Sequence, residues 1–172
     1  TNAGQFYPWS EEEMVELALT VPEGAEFNNL MRRLRKICIF AKKHDVKLLV
    51  SGYQFDSKMF CATQFLWRHL AAEFNEDVPL IFYTFDMAVN ESESAILQDM
   101  DLCKSGGYML AAHLVRCLPN GSSSWDNPLH LSELDTADAF DSSVEVLLSE
   151  LGKSDDGGAL VGDSTFTIFV RL

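Results

Sequence analysis

An apolar run of strand length recurs four times along this chain, and each recurrence is separated from the next by an amphipathic stretch of helical period. The runs are VKLLV (46–50), LIFYTF (80–85), YMLAAHLVRC (108–117) and TFTIFVRL (165–172). Strands written as continuous apolar residues are buried on both faces, which is the pattern of a parallel sheet covered by helices. Two architectures satisfy it, a doubly wound open sheet or a piece of a (βα)8 barrel, and composition does not choose between them. The chain contains no G-x-G-x-x-G and no G-x-x-x-x-G-K-[ST]. Neither a dinucleotide fingerprint nor a phosphate loop therefore supports the open-sheet version.

The intervening helices can be placed by their stop and start signals. Ser10 caps a short helix whose first turn carries Glu11 to Glu13 against the helix dipole, and Pro22 and Gly24 end it. A helix over 29–43 follows, with Leu30, Leu34, Ile37, Cys38 and Ala41 on its inward face, and a turn at His44-Asp45 leads into the first strand. Asp56 or Ser57 caps the next helix, whose apolar face is Met59, Ala62, Leu66, His69 and Leu70; NEDVP breaks it. A helix over 92–104 stops at Gly106-Gly107. After the polar loop LPNGSSSWDNPLH, a helix over 135–151 turns Phe140, Val144, Leu147, Leu148 and Leu151 inward and closes at Gly152; GKSDDGG reads as a loop. Residues 1–27 are expected to form an arm and short helix, and residues 28–172 the βα domain. Tyr7, Pro8 and Trp9 of the arm suit either a neighbouring subunit or the chain's own domain.

Composition excludes several functions. With 172 residues and 47% apolar content the chain can bury one core, as one domain or part of one. No apolar run reaches the roughly 18 residues of a membrane span. The first residues carry no charged or apolar leader, so the compartment is not legible there. A net charge of −13 argues against nucleic acid and anionic surfaces, since both need clustered cations. One basic cluster exists, MRRLRKICIFAKK, and it suits the solvated back of a helix or, less simply, an acidic protein partner. Cys38, Cys61, Cys103 and Cys117 are widely spaced within apolar patterns and read as buried free thiols. The four histidines lack metal spacing, and the acidic C-terminal third has no D-x-D-x-D-G loop. No metal site is expected.

Four segments together resemble the proline dehydrogenase family: LMRRLRKICIFAKKHDVKLLVSGYQ, FNEDVPLIFYTFDM, GGYMLAAHLVRCLP and DNPLHLSELDTADAFDSSVEVLLSEL. The similarity spans about 28–151 and is carried by framework positions, including the helix before the first strand, the proline before the second, LVR after the third and NP in the long loop. The resemblance implies a (βα)8 barrel with FAD at the C-terminal mouth of the strands, oxidising proline by hydride transfer, and in eukaryotes a mitochondrial address. Because barrel chemistry is built at strand ends, those positions are the test of function.

At all three strand ends this chain departs from the family's pattern. Where the family has Asp-Ala-Glu-Gln, this chain has SGYQ, so that Ser51 and Tyr53 stand at the acidic positions and Gln54 remains. A serine hydroxyl carries no charge at neutral pH, so the pocket electrostatics the family depends on are lost. Where the family has Asn-Thr-Tyr-Gln, this chain has YTFD; Thr84 falls within it, and Asp86 replaces a neutral amide with an acceptor that opposes electron-rich reduced flavin. Where the family has Lys-Leu-Val-Arg-Gly-Ala-Tyr, this chain has HLVRCLP, so that His113 replaces the lysine and Arg116 remains. The family's late helix with paired arginines and its last strands have no counterpart in these residues.

The expectation is thus a partial, half (βα)8 barrel with an N-terminal arm and helix, a pseudoenzyme with no catalytic residue. Gln54, Thr84, Asp86, His113 and Arg116 are vestigial cofactor positions, and no cofactor is expected. A half barrel leaves strand edges and an apolar face open, which implies other protein subunits in a mitochondrial assembly, with no nucleic acid and no membrane span. Two alternatives stand beside it: an FAD enzyme completed by another chain or by further residues, and an unrelated α/β binding module.

Overall fold

The computed structural model describes residues 21–51, 57–116, 132–153, 157–161 and 165–170. Its elements, in chain order, are α1 (Val21–Lys43), β1 (Leu48–Val50), α2 (Ser57–Phe74), β2 (Ile81–Asp86), α3 (Ser92–Gly106), β3 (Leu110–Val115), α4 (Glu133–Leu151), β4 (Gly157–Val161) and β5 (Thr165–Val170). The architecture is α/β, with a five-stranded mixed sheet in the order β1-β2-β3-β5-β4. β1, β2 and β3 are parallel and follow one another in sequence order, as the apolar runs predict.

The last strand breaks the expected pattern. β5 pairs antiparallel with β3, and β4, whose Gly157 and Gly158 belong to the expected loop and whose last three residues carry no expected element, pairs antiparallel with β5. A tight hairpin can only make antiparallel neighbours, and only three residues separate β4 from β5. The strand after α4 is therefore part of a hairpin closing the edge, and not a fourth parallel strand.

Helix boundaries show how local chemistry acts. α1 starts at Val21, well before residue 29, and takes Pro22 and Gly24 into its first turn; proline costs little there because that turn's N–H groups have no helical partner. It ends at Lys43 and is stopped by Asp45, φ 53°, with the Val46 N–H donating to the Ala41 carbonyl (3.0 Å), a left-handed conformation that aspartate tolerates. Gly107, φ 70°, ends α3 in the same way, with the Tyr108 N–H donating to the Cys103 carbonyl (3.2 Å). α4 begins at Glu133 because Ser132 caps it, its Oγ accepting from the Asp135 N–H at 3.1 Å.

The core lies between one face of the sheet and the helices. Trp67 of α2 is fully buried and packs on Tyr83 and Phe85 of β2, with centroids 5.6 and 6.5 Å away, while its Nε1–H donates to the Ile81 carbonyl at 3.2 Å. α1 packs on α2, α2 on α3 and α3 on α4. A charged contact ties the second pair: Arg68 Nε donates to Asp99 Oδ1 (2.5 Å), and Gln64 Nε2 to Asp99 Oδ2 (3.1 Å).

Four helix positions expected on an inward face lie exposed. Leu30, Ile37 and Leu148 are 40%, 50% and 43% exposed and the polar ring of His69 is exposed on α2, whereas Phe27, Met31, Cys38 and Ala41 form the buried stripe of α1. A helix with two apolar stripes can bury only one against a single layer, and the neighbouring helix selects it. Cys38 and Cys103 are buried free thiols, while Cys117 and the Cys61 side chain lie outside the described residues, as do the capping helix at Ser10 and the arm. Among the described residues no helix is long and apolar enough to cross a membrane, and no cluster of ligating side chains could hold a metal ion.

Candidate functional site

In a parallel sheet, residues paired across strands project to the same face, about 4.8 Å apart. Tyr83 and Phe85 turn toward Trp67 and the helices. Thr84 and Asp86 alternate with them and so occupy the opposite face.

The register assembles a polar row on that face. Thr84 pairs with His113, and His113 pairs with Thr167 of β5. Val50 pairs with Tyr83, which places Ser51, the next residue, at the level of Thr84. Ser51, Thr84, His113 and Thr167 thus cross four strands in line, with Asp86 two residues further toward the C-terminal end of β2. The sequence reading named all of these except Thr167, whose signal was the polar–apolar alternation in TFTIFV.

The row is buried at Thr84 and Asp86, half-buried at Ser51, His113 and Thr167, and incompletely satisfied. Thr84 is 3% exposed, and among the described residues neither its Oγ1 nor the shielded Oγ of Ser51 has a hydrogen-bond partner. Such groups cost roughly 1–3 kcal/mol each. His113 Nδ1 and Thr167 Oγ1 share a hydrogen bond of 2.7 Å, and burial lowers the imidazole pKa from its ordinary value. Asp86 is 5% exposed and Oδ1 accepts from the Ala88 N–H at 3.0 Å. Burial raises its carboxyl pKa, only partly offset by that hydrogen bond. No cation pairs with Asp86 among the described residues.

Arg116 follows β3 immediately and is exposed at the rim, apart from the row. Tyr53 and Gln54 lie outside the described residues. Chemically, the row offers three hydroxyls, those of Ser51, Thr84 and Thr167, an imidazole biased toward its neutral form and a carboxyl biased toward protonation, but among the described residues no buried cation. A surface cleft of about 340 Å³, lined in part by Phe65, Arg68, Leu102 and Tyr108, lies instead on the helical side. Sequence reading missed Asn75, fully buried at the opposite end of the sheet, because it sits in what looks like a simple helix break.

Comparison with known proteins gives a distant relationship. The chain is 24% identical over 147 residues to the probable mitochondrial proline dehydrogenase of Schizosaccharomyces pombe, covering 83% of this chain and 28% of that protein. It is 25% identical over 129 residues to mitochondrial proline dehydrogenase 1 of Bos taurus, covering 73% of this chain and 21% of that protein. The chain therefore spans about a quarter of the length of these curated relatives. No protein-family model matches it, and no solved structure matches it. What the comparisons establish is similarity to part of two mitochondrial proline dehydrogenases, at the level of distant sequence likeness.

Proposed function

We propose that this chain is a non-catalytic, proline dehydrogenase-like subunit with a structural or interaction role in a larger mitochondrial assembly, and that β1, β2 and β3 derive from a (βα)8 barrel. The observation that carries the reading is Asp86. It is a buried carboxyl at the end of β2 that accepts from the Ala88 N–H and, among the described residues, meets no compensating cation. Reduced flavin gathers electron density on its ring and is stabilised by donors and positive charge. The described residues fit that group poorly: the carboxyl opposes it when ionised, and Arg116 stands exposed beyond the row. The sequential order of the three parallel strands supports barrel descent over a doubly wound sheet, whose order reverses. Mitochondrial residence rests on the names of the two relatives.

The test is the visible absorbance spectrum of the protein in its native assembly, with acid release and identification of any chromophore. Absence of flavin from this chain is expected. Stoichiometric FAD would overturn the reading and favour an enzyme completed by other residues, for which Gln54, Thr84 and Arg116 would be the retained contacts.

A further inference from the structure

α1 and α4 stand at opposite ends of the helical row, and each presents to solvent a stripe that the core does not use. On α1 the stripe is Leu30, Arg33, Ile37 and Phe40, flanked by Lys36 and Lys43; Phe40 is 66% exposed. On α4 it is Leu134, Asp138, Asp141, Glu145 and Leu148, with Leu134 75% exposed. Both follow the spacing of three and four residues that keeps side chains on one helical face. α1 holds six of the chain's 13 basic residues against two acids, whereas α4 holds six acids and no base. Among the described residues, Arg33, Lys36, Asp138, Asp141 and Glu145 enter no ion pair.

We infer that copies of this chain associate through these stripes, the basic apolar face of α1 in one copy lying along the acidic apolar face of α4 in another. The occupant is a second copy because the complement of each face, in sign and in spacing, is present on the same chain. The apolar residues exclude water from the seam, and the charges select the pairing and oppose α1 on α1 or α4 on α4. The contact is head-to-tail, so it either closes into a ring or dimer or extends. It rests on helix surfaces alone and stands whether or not the polar row binds flavin.

Salt titration alone does not decide the matter, because screening weakens both the seam and the repulsion between copies of net charge −13. Charge reversal does. Sedimentation velocity of the purified chain is expected to show association, lost or weakened at least about tenfold in Arg33→Glu/Lys36→Glu and likewise in Asp138→Lys/Asp141→Lys. Mixing the two variants restores it, since each then offers what the other lacks. All four side chains are exposed, and circular dichroism confirms that the variants remain folded. A wild-type chain that is monomeric at high concentration, or reversed variants that associate as well as wild type, would overturn the inference. So would a mixture that stays dissociated, or a finding that the α1 variant loses a different acidic subunit while copies of the chain never meet.

Discussion

The side-chain amide of Asn75 grips both polar groups of Ile81: Oδ1 accepts from the Ile81 N–H at 2.9 Å, and Nδ2 donates to the Ile81 carbonyl at 2.9 Å. Oδ1 also accepts from the Leu80 N–H (3.0 Å), and the Asn75 carbonyl accepts from the Met109 N–H (2.8 Å). One fully buried residue thus joins the end of α2 to the starts of β2 and β3. Asn75→Ala strips partners from several buried backbone groups and is expected to cost about 3 kcal/mol or more. Asn75→Asp keeps the acceptor, loses both donors and buries a charge, so it does not rescue. Urea denaturation checks both, with a lower midpoint and an unchanged slope as the expected result.

Asp86 sets a pH dependence of definite sign. Its folded pKa is raised by burial, so between the ordinary carboxyl value of about 3.9 and that raised value the folded chain holds more protons than the unfolded one. Its contribution to stability is complete below the ordinary value and is lost as pH rises through the folded one. Asp86→Asn keeps an acceptor for the Ala88 N–H and removes the charge. The variant is expected to be more stable than wild type at neutral pH, with the advantage vanishing in acid. Thermal melts of both proteins across that range test it, and equal stability at neutral pH would refute it.

His113 acts in the opposite direction. Burial lowers its pKa, so its contribution is complete above about 6.5 and is lost as pH falls through the folded value. An imidazole NMR titration should give a midpoint below the ordinary one. Thr167→Val removes the hydroxyl 2.7 Å from Nδ1 and is expected to destabilise by about 1 kcal/mol, with the larger part of the loss at neutral pH, where the neutral ring is retained.

Burial pushes the Cys38 thiol up to about 11 and the Cys103 thiol up to about 12, with Glu73 and Asp99 respectively adding to the effect. Both should resist alkylation at mildly alkaline pH in the folded protein and react on unfolding. Mass spectrometry of peptides after iodoacetamide, with and without denaturant, reads this directly; labelling of Cys103 without unfolding would contradict its burial.

Much of the fold was legible in local chemistry. The apolar runs marked β1, β2, β3 and β5, and Gly106-Gly107 marked the end of α3, because a left-handed helix stop has a residue requirement that shows in any sequence. The strand-end residues Ser51, Thr84, Asp86 and His113 could be named one by one. Tertiary structure decided how they relate. β4, five residues beginning Gly-Gly, has little strand signal of its own and exists through pairing with β5. The exposure of Leu30, Ile37 and Leu148 follows from which helix packs against which, since an apolar stripe does not specify its own cover. Thr167 reached His113 only because β5 runs antiparallel to β3 in one particular register, and a slip of one residue would have turned that hydroxyl to the other face. Local propensity and periodicity are written within a few residues, whereas register and face depend on partners that for β1, β2 and β3 lie about thirty residues away and for His113 and Thr167 lie 54 apart, and that is where the sequence stopped and the packing began.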